Sequence, residues 1–150
     1  MIEKNKIEEV VKSLIAGSDV FLVSAKVSSS NKIVIHIDKK DGITIDECVA
    51  IHREIEQHFN RDEEDYELQV SSPGLDTPFT VIEQYFKNEG QKVEVLDDDG
   101  KKYTGLLKNV TIVGFGLETE VKVKGKPKET VELSFNFEQV KYVKIVLTIK

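Results

Sequence analysis

The sequence predicts an α+β protein in two parts, an αββαβ two-layer sandwich over residues 1–76 and a small all-β barrel over residues 77–150. Three observations carry that expectation. Helix-period and strand-period patterns alternate through the first half, and the second half is strands broken by turns after one short helical pattern. Between them lies Tyr66 to Phe79, YELQVSSPGLDTPF, which compresses a strand, a turn and a helix start into fourteen residues.

The elements follow in order. Ile7, Val10, Val11, Leu14 and Ile15 recur at three and four, which predicts an amphipathic helix from about residue 3 to 16, stopped at Gly17. Phe21, Val23, Ala25 and Val27 are expected to share one strand face. Ile33, Ile35 and Ile37 share a face of the next strand, and Ser28 to Asn31 is the hairpin loop between them. After the Asp41-Gly42 turn, Thr44 and Glu47 fit a capping box, with Ile43 and Cys48 as its hydrophobic staple. Ile45, Cys48, Val49, His52, Ile55 and Phe59 would form that helix's inward stripe. The crossover through it should be right-handed.

In the junction, Tyr66, Leu68 and Val70 alternate with Glu67, Gln69 and Ser71, the pattern of a strand with one buried face. Ser72-Pro73-Gly74-Leu75 suits a type II turn. Pro78 suits a first helical turn, capped by Thr77 or Asp76. A proline-stiffened join of this kind should limit the swing of the two parts. Phe79, Ile82, Tyr85 and Phe86 then suggest a short helix ending at Asn88 to Gly90. Five strands follow: one with Val93 and Val95, the Asp97-Asp98-Asp99-Gly100 turn, and one with Tyr103, Gly105 and Leu107. A long strand around Val113 to Val123 comes next. The Gly125-Lys126-Pro127 turn leads to Val131, Leu133 and Phe135, and a strand from Tyr142 to Ile149 completes the set. Gly105, Gly114 and Gly116 should mark bends or bulges, and closure of the barrel would remove exposed edges.

VSSPGLDTPF resembles the signature of the bacterial ribosome maturation factor family (RimP), a strand ending in V-S-S-P-G-L-D-R-P followed by Leu or Phe. DGITIDECVAIHREIE resembles that family's Gly-Ile-Thr helix start, and FEQVKYVKIVL its last barrel strand. The likeness spans nearly the whole chain, with one departure: Thr77 stands where the family usually has Arg. The resemblance implies that the second part is an Sm-like barrel, close to the SH3 type. It also implies a cytoplasmic, non-catalytic assembly factor that binds the immature small (30S) ribosomal subunit and associates with small-subunit ribosomal protein twelve.

Charge is divided unevenly. Residues 1–78 hold 9 Lys/Arg against 16 Asp/Glu, a net of −7, and residues 79–150 hold 12 against 11, a net of +1. Nucleic-acid affinity comes mainly from cations on phosphates, so the first half is a poor RNA grip and suits a basic partner. The same charge also reads as ordinary solvation. No apolar run approaches the ~20 residues that span a bilayer, so no membrane partner is expected. The N-terminus does not resemble a secretory signal, and lone Cys48 excludes an intrachain disulfide and a cysteine zinc site.

For catalysis the raw material is Ser71, Ser72, Asp76, His36, His52 and His58, but no G-x-S-x-G elbow exists. His52 and His58 are six apart, which is not metal spacing. No catalytic residue, metal, cofactor or small-molecule substrate is expected. Two stretches remain as partner-binding candidates: Ser71, Ser72, Pro73, Gly74, Leu75 and Asp76, and the lysines Lys122, Lys124, Lys126 and Lys128. The first also reads as a purely structural join, the second as a solvated edge that discourages sheet pairing. The expected partner of a monomeric chain is basic ribosomal protein or exposed 16S rRNA. A generic Sm-like RNA-binding regulator is the alternative.

Overall fold

A computed structural model describes residues 2–147. Thr148 and Ile149, placed in the last strand by their alternation, lie outside the described residues. The chain divides into two compact units, residues 1–73 and 74–150.

In the first unit the order is α1 (Lys4–Ile15), β1 (Val20–Val27), β2 (Lys32–Lys39), α2 (Ile45–Glu56) and β3 (Glu67–Ser71). The sheet runs β1-β2-β3, antiparallel between β1 and β2 and parallel between β2 and β3. Ile7, Val11, Ile33, Ile35, Ile37 and Ile55 are fully buried in one aliphatic core. At the end of α1 Gly17 takes a φ of 79°, and Ser18 donates from both backbone and hydroxyl to the Ile15 carbonyl. Thr44 caps α2 as expected: its hydroxyl accepts from Glu47 N–H at 3.1 Å, and Glu47 Oε1 accepts from Thr44 N–H at 3.2 Å. Ile43 and Cys48 both join the core, as a staple requires.

Two expected faces differ in this unit. The β1–β2 register pairs Leu22 with Ile37 but Ser24 with His36, leaving Val23 as the extra residue of a bulge. The bulge reverses the alternation, so Val20 and Leu22 pack against the core beside Ala25 and Val27 in place of Phe21, while the bulged Val23 is itself buried, 7% exposed. On α2, Ile45 and Val49 are outside the core, 82% and 41% exposed. Cys48, Ile51, Ile55 and Phe59 fill the stripe that meets the sheet.

The second unit holds α3 (Ile82–Lys87), β4 (Lys92–Asp97), β5 (Lys102–Lys108), β6 (Gly114–Val121), β7 (Glu129–Asn136), a 3₁₀ turn (Phe137–Gln139) and β8 (Val140–Ile145). All pairings are antiparallel, in the order β7-β6-β5-β4-β8. The expected closed barrel is corrected: β7 and β8 are the outer strands, and no ladder joins them among the described residues. The 3₁₀ turn lies between these two strands. Phe137 N–H donates to Val113 O and Asp98 N–H to Gln139 O, which ties the turn to two loops at the end of the sheet. The chain crosses there and β8 pairs along β4. Tyr85, Phe115, Phe135 and Phe137 stack with centroids 4.8 to 5.9 Å apart over a floor of Val93, Val95, Leu107, Leu117 and Val143.

The glycines act by close approach more than by bending. A Cβ on Gly105 would run into the Glu118 carbonyl, and one on Gly114 into the Phe135 carbonyl. The helix start also moves. Phe79 N–H pairs with Val143 O at 2.8 Å, and Val81 is still extended, with φ −126° and ψ 154°. The helix begins at Ile82, where buried Gln84 reaches back to accept from the N–H groups of Thr80 and Val81. Phe86, by contrast, is 42% exposed. The last strand starts two residues earlier than expected and ends at Ile145, leaving Leu147 53% exposed.

Candidate partner-binding surfaces

The signature segment splits between the units. Ser71 ends β3 in register with His36 of β2, which itself pairs with Ser24 of β1. That row is Ser24, His36, Ser71, on the sheet face opposite Ile33, Ile35 and Ile37. The His36 Nδ1 bonds Ser24 Oγ at 3.2 Å, so the imidazole is held by β1. Burial, and then the charge of Lys26, lowers the His36 pKa. Ser72 is exposed and Pro73 half-buried.

The turn lies two residues beyond its expected place. Gly74 does not take the positive φ that a type II turn needs at that position. Instead Thr77 closes a turn over Gly74–Thr77, its N–H donating to Gly74 O at 3.2 Å and its hydroxyl to the same oxygen at 2.6 Å. Thr77 thus acts as a turn clamp. Leu75 projects from this turn, 71% exposed, with Asp76 exposed beside it.

Lys122, Lys124, Lys126 and Lys128 all lie in the β6–β7 connection, because the ladder stops at Val121 opposite Glu129. Strand alternation therefore does not order Lys122 and Lys124, as the spacing had suggested. Gly125, with a φ of 84°, and the Lys126 N–H bond to Val123 O turn the chain. All four lysines are exposed, and Lys128 sits 3.9 Å from Glu120. These lysines belong to the second unit, in which Gly74 to Asp76 also lies, whereas Ser71 to Pro73 belongs to the first.

Three further titratable groups, His52, Glu47 and Cys48, are paired or buried. His52 on α2 reaches Leu68 O with Nε2 at 3.1 Å and Glu56 with Nδ1 at 3.0 Å, pinning the helix to edge strand β3. Glu47 is held below the usual carboxylate range, first by the hydrogen bond from Lys39, 3.0 Å away. Burial pushes the Cys48 thiol up, away from the thiolate that reactive cysteines need. Among the described residues no group of three or more His, Cys, Asp or Glu is placed to hold a metal ion. No helix of the described residues is long and apolar enough to cross a membrane. A shallow cavity of about 400 Å³ lies on the second sheet among Lys92, Thr104, Leu106, Glu118, Glu120 and Thr130.

One surface escapes the sequence reading. Ile45 and Val49, assigned to the core by spacing, form an exposed apolar pair on α2. The signal was present as an apolar stripe wider than one helix–sheet contact uses: Ile43, Ile45, Cys48, Val49, Ile51 and Ile55.

The structure thus defines a class of small two-unit α+β proteins, its candidate residues half-buried or exposed. The comparisons narrow the class. The RimP N-terminal domain family matches residues 6–76. A ribosome maturation factor RimP of Porphyromonas gingivalis is 36% identical over 148 residues, covering 94% of this chain and 96% of that one. Those of Flavobacterium psychrophilum (32% over 135 residues, 87% of each chain) and Christiangramia forsetii (30% over 127 residues, 84% of this chain and 78% of the other) are similar along most of their lengths. The chain belongs to the ribosome maturation factor RimP family.

Proposed function

We propose that this protein is a ribosome maturation factor that binds the immature small (30S) subunit in the cytoplasm and assists its late assembly, as a monomer and without catalysis. The observation that carries the reading is the near full-length similarity to proteins named for ribosome maturation. The charge division supports a mechanism. The acidic first unit would meet basic protein, with small-subunit ribosomal protein twelve as the expected associate. The near-neutral second unit would add its lysine-bearing tip, at protein or at exposed 16S rRNA. Binding favours one conformation of the partner over another.

The finer fold assignment belongs here too. A helix followed by five antiparallel strands in the order β7-β6-β5-β4-β8 supports an Sm-like, SH3-type relation for the second unit, with the functional boundary near residue 76. Ser71 to Asp76 and Lys122 to Lys128 are its proposed contacts.

Sedimentation of a cell lysate tests the reading. The chain should migrate with small-subunit fractions and their precursors, and its absence from them would contradict the proposal. A generic RNA-binding regulator, the reading favoured by the lysine tip alone, separates by salt. Such a protein binds naked RNA with an affinity that falls steeply as salt rises. Replacing Lys122, Lys124 and Lys126 by Ala would then shallow that slope by about 0.7 to 0.9 for each phosphate no longer neutralised.

A further inference from the structure

We propose that the outer edge of β7 is a strand-addition site, which takes an extended segment of another protein as a sixth strand of the second sheet. This goes beyond the reading above, which rests on similarity and charge, and it stands or falls separately.

The direction of the peptide groups on β7 follows from its register. Phe137 N–H donates to Val113 O, and these two residues continue the β6–β7 pairing that runs from Val121–Glu129 to Gly114–Asn136. Odd-numbered residues of β7 therefore turn their N–H and C=O groups to β6, and Thr130, Glu132 and Ser134 turn theirs outward. Asn136, next in that outward row, donates its N–H to Gln139 Oε1 at 3.0 Å, which closes the row at one end. No strand of the described residues pairs with β7 on this side.

The other three outer strands are blunted. On β3, Leu68 O is held by His52 Nε2 at 3.1 Å. On β8, Val143 O accepts from Phe79 N–H at 2.8 Å. Strand β1 is interrupted by the Val23 bulge. β7 has none of these devices: its eight residues keep one unbroken register and include no proline and no lysine.

The edge itself selects the occupant. A row of alternating donors and acceptors matches another extended backbone, whereas phosphates only accept and would leave the carbonyls unmet. A second copy fits poorly. Its β8 edge is closed at Val143, and β7 against β7 in full register would set Glu132 opposite Glu132, a repulsive pair. Val131, Leu133 and Phe135 are half-buried on one face, and Thr130, Glu132 and Ser134 are exposed on the other. The segment that fits alternates accordingly, with apolar side chains beside the first set and polar, non-acidic ones beside the second.

Amide hydrogen exchange of the full chain is the first test. Thr130, Glu132 and Ser134 should exchange at least tenfold faster than Val131 and Leu133, whose N–H groups are bonded to β6. Equal protection of all five would mean a covered edge and overturn the proposal. Next, p-benzoylphenylalanine at position 132 should cross-link in cells to a segment of another protein, identified by mass spectrometry. A synthetic peptide of that segment should slow the three outward amides tenfold or more and leave Val131 and Leu133 unchanged. Ser134→Pro removes an outward donor without touching the β6 ladder and should abolish the cross-link, whereas Ser134→Ala keeps the N–H and should retain it. Thr130→Pro makes the same test from the other end, should Ser134→Pro lower the thermal midpoint. Cross-links to RNA, to a second copy or to nothing, cross-links that persist in the folded proline variant, or slowing of other amides would each overturn the proposal. A chain that ignores small-subunit fractions ends the maturation reading alone, and these amides still decide the edge.

Discussion

The first unit fills its core with aliphatic side chains delivered by two helices onto one face of a three-stranded sheet, Ile7 and Val11 from α1 and Ile55 from α2 against Ile33, Ile35 and Ile37. The second unit has one six-residue helix, and much of its filling is aromatic: Tyr85 from that helix, Phe115, Phe135 and Phe137 from strands and turn. The difference shows in what each unit depends on. A helix laid on a sheet can be specified locally, by caps and a staple such as Thr44, Glu47, Ile43 and Cys48. A sheet that bends around rings needs backbones to approach where no side chain intervenes, which is the service of Gly105 and Gly114.

That contrast can be broken most forcefully at the cores. Ile35→Ala, in a fully buried position, should cost roughly 2–5 kcal/mol. If the units are held by separate cores, hydrogen exchange should accelerate in α1, β1, β2 and α2 and stay near wild type in β4 to β8. Uniform acceleration through both would argue for one cooperative core. Gly114→Ala probes the opposite unit. Its Cβ has no room beside the Phe135 carbonyl, so a loss of about 1–3 kcal/mol is expected, read by denaturant melts and confined by exchange to β5, β6 and β7.

Smaller effects sharpen the picture. Thr44→Ala removes the cap of α2 and should cost about 1 kcal/mol, whereas Thr44→Asn should recover most of it. A similar loss with both variants would show that the hydroxyl serves something besides the cap. The smallest effect concerns His36. Its folded pKa lies below the ordinary 6.5, so the unfolded chain binds more protons between the two values. The stability this group supports is therefore full above 6.5 and falls as pH drops through 6.5 towards the folded value. His36→Gln should flatten that fall in urea melts taken between pH 5 and 8, and an unaltered profile would assign the pH dependence to other groups.

Much of this fold was legible because its signals are local. Periodicity located α1, α2 and the three strands of the first sheet, and turn glycines located the Asp97–Gly100 hairpin, where Asp97 Oδ1 accepts from the N–H groups of Asp99 and Lys101. What escaped depends on partners distant in sequence. The Val23 bulge exists only relative to β2. Pro78 has the local signature of a helix start, but Val81 is still extended and Phe79 pairs with Val143 of β8. Closure is the natural expectation for five short strands, yet the 3₁₀ turn after β7 is pinned by Val113 and Asp98. Ile45 and Val49 show the limit most clearly, since an apolar stripe gives a helix's phase and not the width of sheet that will meet it.

The decisive measurement is amide hydrogen exchange of the whole chain, free and bound to immature small-subunit particles. Binding through surfaces of opposite character on the two units should slow exchange at exposed positions of the acidic first unit and in the 122–128 tip, and leave the buried strands β2 and β4 unaltered. Slowing confined to the tip, and abolished there by moderate salt on naked rRNA as well, would contradict that picture and leave a simple RNA-binding protein in its place.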